Sequence, residues 1–134
     1  MAILRNILAL IVGLVIGGCV NMALIMLSGS IIPLPAGVNP EDIESIKANM
    51  HLYEAKHFIM PFLAHALGTF VGAVVAIKIA ASYKTVFAYV IGGMFMIGGI
   101  MMAVDLPGPT WFEVADVVLA YLPMSCLALK LFKK

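Results

Sequence analysis

Residues 54–81 read EAKHFIMPFLAHALGTFVGAVVAIKIAA. Between His57 and Lys78 lie twenty residues with a single acidic or basic side chain, His65. A helix of that length rises about 30 Å, which matches the hydrocarbon core of a bilayer. Strands of a membrane barrel are about 9–11 residues long and alternate in polarity, and this run does neither. It therefore predicts a helix that crosses a membrane, since such a segment must satisfy its own backbone groups in lipid.

The rest of the chain repeats the pattern. Of 134 residues, 63% are hydrophobic and 11% are charged, against about 45–50% and about 25% in soluble domains. With a mean hydropathy of +1.11, that apolar excess cannot be hidden in one water-soluble core of this size. Four windows are long enough to span: residues 3–27, 57–81, 85–104 and 111–132. The expected fold is all-α, a single membrane domain built as a four-helix bundle. Residues 28–56 form an outer loop carrying a short amphipathic surface helix.

The basic residues orient the bundle. Arg5, Lys78, Lys84, Lys130, Lys133 and Lys134 fall on one side of a four-span chain. Lys47 and Lys56 fall on the other, with Glu41, Asp42, Glu44, Glu54, Asp105 and Glu113. Cationic flanks stay inside, so both termini are expected in the cytoplasm of a bacterial inner membrane. The net charge of +1 and the lack of a basic patch exclude nucleic acid as a partner class. Lipid is the expected partner, and a homo-oligomer is expected because four such helices leave much apolar surface.

The connections carry local signals. In Asn39-Pro40-Glu41-Asp42, Asn39 is placed as a cap and Pro40 in the first turn of the surface helix. Asp105 to Thr110 reads as a tight hairpin. Thr110-Trp111-Phe112-Glu113 fits a capping box, with hydroxyl at the cap and carboxylate three residues on. Pro123 predicts a kink near Leu119. Cys19 and Cys126 read as small apolar packing residues.

Small residues recur at every fourth position of the second span: Ala64, Gly68, Gly72, Ala76 and Ala80. Gly13 and Gly17 do the same in the first, and Ala88, Gly92, Gly99 and Ala103 line the third. Such spacing lets neighbouring backbones approach closely. The second span is the expected central helix.

At 100° per residue, Glu54, Pro61 and His65 fall within about 40° of one another. His65 lies about 12 Å further along the axis than His57, inside the hydrocarbon. The fourth span carries Asp116 at a comparable depth. An ionisable residue inside a span is costly and faces the bundle interior. Three readings follow. In one, His65 and Asp116, with Asn21 and Tyr121, form an outer polar site for a small ligand or for protons. In another, Glu54, His57, His65 and Asp116 bind Zn or Fe, because Glu54-x-x-His57 has the spacing of one half of a di-iron motif. In the third, His65 bonds Asp116, or a carbonyl freed by Pro61, and locks two helices in register.

No phosphate loop, paired cysteine motif or nucleophile elbow is present, so enzyme activity is disfavoured. The segments LAHALGTFVGA (63–73) and AYLPM (120–124) resemble a family of small bacterial four-span inner-membrane proteins. That resemblance implies a multi-span fold and no particular activity, because the group carries none that is established. The chain length is similar to that of small multidrug transporters and fluoride channels. However, the first span lacks the membrane carboxylate of the former, and no signature of the latter appears.

Overall fold

In the computed structural model, which describes residues 1–134, the uncharged run becomes helix α3 (Ile59–Ile79). Helix α1 is Ala2–Ile31, a short α2 is Ile43–Ala48, and α4 is Lys84–Asp105. The fourth apolar window forms α5 (Thr110–Leu119) and α6 (Leu122–Phe132). Apart from its connections the chain is helical, and it has no strand. Four segments are long and apolar enough to cross a membrane: Ala2–Ile31, Ala55–Ile79, Lys84–Asp105 and Thr110–Phe132.

Helix α3 is central, packing against α1 on one side and against α4 and α6 on the other. The small-residue stripe explains how. A Cβ on Gly17 would sit 2.6 Å from the Gly68 carbonyl oxygen, and one on Gly68 would sit 2.9 Å from that of Gly17. Gly13 and Gly72 show the same reciprocity, at 2.8 Å each way. One turn on in either direction, this antiparallel register brings Ala9 opposite Ala76 and Asn21 opposite Ala64. The stripe thus serves contact within the chain. The core beyond it is Ala73, Ala76, Ile77, Ala88, Ile91 and Ala128.

The termini of the elements separate by charge. Arg5 Nε donates to the Ile79 carbonyl (3.2 Å), Asn6 bonds Ser82 and the Ala81 amide, and Lys133 Nζ donates to Thr85 Oγ1 (2.7 Å). The N-terminus, the α3–α4 turn and the C-terminus therefore share one end, which is cationic. The opposite, acidic end is closed by aromatic contacts. Phe58 packs on Trp111 (5.7 Å between ring centroids) and on Phe112 (4.8 Å).

Several local expectations are corrected. Asn39 does not cap the loop helix; its Oδ1 accepts from the Glu41 amide, and Asp42 caps α2 by accepting from Glu44. The helix is therefore six residues long and buries none of them. Thr110 is the first residue of α5 rather than its cap, which is Pro109. Proline has no N–H, so Glu113 reaches one residue further back and accepts from the Gly108 amide (2.8 Å). Pro61 falls in the first turn of α3, where its missing N–H would have no helical partner; it frees no acceptor for His65. Pro123 does more than kink the fourth span: α5 ends at Leu119 and α6 restarts at Leu122. Cys19 and Cys126 are exposed and unpaired rather than packed.

Candidate functional site

His65 lies on the arc of α3 between two packed faces. Ala64, Gly68 and Gly72 meet α1, whereas Ala66 and Ala73 meet the residues of α4 to α6. Thr69 and Ala76 share the arc of His65 and are fully buried. The His65 side chain keeps 19% of its surface. The arc is closed in the middle of the bundle and opens one turn nearer the acidic end.

Across from His65, α5 presents Asp116, whose side chain is 6% exposed. His65 Nδ1 lies 2.9 Å from each of its carboxylate oxygens. The Tyr121 hydroxyl donates to Asp116 Oδ2 at 2.7 Å, and the Tyr121 ring stacks on the imidazole at 5.8 Å and 28°. A buried carboxylate without partners would be destabilising by several kcal/mol or would neutralise; here both oxygens are engaged. With Nδ1–H donating to the carboxylate, the neutral imidazole presents Nε2 as an acceptor. Nε2 has no hydrogen-bond partner and retains accessible surface. Thr69 Oγ1 donates to the His65 carbonyl (2.8 Å), which satisfies a hydroxyl that would otherwise be buried unpaired.

The break between α5 and α6 makes this cluster. In one continuous helix, Tyr121 would face about 140° away from Asp116. The interruption at Ala120–Tyr121, where Tyr121 has φ −118° and ψ −85°, turns the ring back. Space for it comes from Gly99 of α4, where a Cβ would meet the Tyr121 hydroxyl and lie 2.6 Å from Cζ. Gly92, two turns earlier on the same face, makes room for Ser125. Sequence reasoning placed Gly92 and Gly99 among packing residues and missed their part in shaping the site; their seven-residue spacing is the signal.

The other candidates fall elsewhere. Asn21 packs its Cβ toward Gly68, its Oδ1 is buried without a partner, and it makes no bond to the cluster. His57 Nδ1 accepts the Glu54 amide at 2.8 Å, and the Glu54 carboxylate pairs with Lys56 at 3.6 Å. The residues offered as a Zn or Fe set are thus two separate pairs, Glu54 with His57 and His65 with Asp116. No group of three His, Cys, Asp or Glu side chains converges anywhere to hold a metal. Near His57, Tyr53 packs its ring edge-on at 5.3 Å, and burial pushes its phenol above the ordinary range.

With this geometry in hand, comparison with known proteins finds no matching family model, no matching curated protein and no matching solved structure.

Proposed function

We propose that the chain is a multi-pass protein of a bacterial inner membrane with four spans and both termini in the cytoplasm. Its His65–Asp116–Tyr121 cluster is an outer-leaflet site that takes up a proton or a small hydrogen-bonding ligand at His65 Nε2. One observation carries this reading: Nδ1 is committed to a buried carboxylate while Nε2 is left open and unpaired. The carboxylate orients the ring and fixes which ring nitrogen is left to meet a ligand. Thr69, Ala73, Ala76 and Ile77, fully buried beyond the site, offer no ionisable relay toward the cationic end. Uptake from one side therefore fits these residues better than passage across the membrane.

The test is water access at the site. In a background with Cys19→Ser and Cys126→Ser, the variants His65→Cys and Leu67→Cys are placed in lipid nanodiscs. Each is treated with a charged, water-soluble methanethiosulfonate. Leu67 is 39% exposed on the outward face of α3 at nearly the same depth. The proposal expects the thiol at position 65 to react and that at 67 to stay inert in lipid. Equal inertness at both would reduce the cluster to a lock between helices.

A further inference from the structure

The two ends of the molecule treat their cations differently. At the acidic end, Lys47 pairs with Glu44 (3.2 Å) and Lys56 with Glu54 (3.6 Å). At the other end stand Arg5, Lys78, Lys84, Lys130, Lys133 and Lys134, and none has an acidic partner within 4.0 Å. No Asp or Glu lies in the sequence from Ala55 to Val104 or after Asp116. Three of these cations have other contacts. Arg5 bonds the Ile79 carbonyl, Lys78 sits 5.5 Å over the Phe132 ring, and Lys133 bonds Thr85. None of those contacts supplies a counter-charge.

Three of the lysines line one concavity. A cleft of about 500 Å³ between the α3–α4 turn and the end of α6 is bounded by Ser82, Tyr83, Lys84, Thr85, Lys133 and Lys134. The Lys133–Thr85 bond holds the end of the chain against α4 and forms one wall. Tyr83, 73% exposed, stands at the lip with hydroxyl donors from Ser82 and Thr85 close by. Lys133 and Lys134 are exposed and Lys84 is half-buried, so the groove is open; like charges gathered around it repel one another, and an anion with several oxygens relieves them. On the four-span reading, on which this inference rests, the cleft lies at the level of the cytoplasmic headgroups. We infer that the Lys84–Lys133–Lys134 cleft binds a phosphate group, and that its source is the headgroup of an anionic lipid.

The experiment is native mass spectrometry of the detergent-purified protein with dioleoylphosphatidylglycerol or dioleoylphosphatidylcholine, beside a thermal-shift titration with inorganic phosphate. The wild type should retain the anionic lipid over the zwitterionic one. The excess should fall roughly fivefold for each of Lys84→Gln, Lys133→Gln and Lys134→Gln. Lys47→Gln and Lys56→Gln, at the acidic end, should leave it unchanged. Lipid retention without a response to inorganic phosphate supports the headgroup. A phosphate response with no lipid preference keeps the anion chemistry and overturns the lipid source. Equal retention of both lipids with no phosphate response, or retention indifferent to all three of these substitutions, overturns the site. Carbonate extraction of cell membranes tests separately the membrane insertion that the four-span reading requires, because it does not depend on these lysines.

Discussion

His65 Nδ1 lies within 2.9 Å of both carboxylate oxygens of Asp116, although 51 positions separate the two residues in the chain. The contact joins the central helix α3 to α5, the first half of the broken fourth apolar segment. It places an imidazole, a carboxylate and the Tyr121 phenol in one cluster that is nearly dry on its carboxylate side.

The pair should be energetically coupled. Asp116→Asn and His65→Ala are each expected to destabilise by about 1–3 kcal/mol, because each leaves a buried polar partner unmatched. The double variant should cost less than the sum, with a coupling of about 0.5–3 kcal/mol. Unfolding equilibria in mixed micelles provide the cycle. Strict additivity would show that the contact contributes nothing.

Tyr121→Phe should cost about 1 kcal/mol, the net value of one hydrogen bond, while the aromatic stack on His65 survives. Gly99→Ala is expected to be more damaging, since the new methyl enters the space of the Tyr121 ring and hydroxyl. Overpacking of this kind costs about 1–3 kcal/mol. Gly98→Ala meets nothing within 4 Å and should be close to neutral. Comparing the melting of the two alanine variants isolates the site from ordinary helix propensity.

Gly17→Val should separate α1 from α3. A Cβ there lies 2.6 Å from the Gly68 carbonyl oxygen and 2.9 Å from the Phe95 ring, so backbone must move. The expected loss is about 2 kcal/mol or more. Gly18→Val, where a Cβ meets nothing within 4 Å, should stay within about 0.5 kcal/mol of wild type. A cysteine cross-link between positions 9 and 76, made in the background without Cys19 and Cys126, reads the same contact. It should form in wild type and weaken in Gly17→Val.

Breaking the hairpin brace gives a smaller effect. Glu113→Ala leaves the Gly108 amide without its acceptor and should cost about 1 kcal/mol. Asp105→Ala, exposed and without a hydrogen bond, should change melting little in comparison.

Much of this was legible in the residues. Hydrophobic length located the four long segments to within a few positions, because a spanning helix needs an uninterrupted apolar run. The fourfold spacing of Ala64, Gly68, Gly72 and Ala76 marked the packed face of α3, since small residues are what close backbone approach demands. That His65 and Asp116 could meet at one level of the bundle followed from helical rise alone. What could not be read was anything set by an interruption. Pro123 signalled a kink, but the full break turns Tyr121 by an amount no periodicity contains. Glu54 and His57 looked like half of a metal motif because i, i+3 spacing serves both ligation and local turn bonding. The backbone resolved that ambiguity when the Glu54 amide took His57 Nδ1. Asn39 and Asp42 compete for the same capping role, and the side chain nearer the first apolar residue, Ile43, won.

The central claim is that four helices cross a bilayer with the cluster toward the acidic side. Thiol labelling tests it most directly. In the background without Cys19 and Cys126, single cysteines replace Pro107 and Lys134, and intact cells receive an impermeant maleimide. The account predicts that position 107 is labelled from outside and position 134 only after the membrane is opened. Labelling of both positions from the same compartment would contradict it.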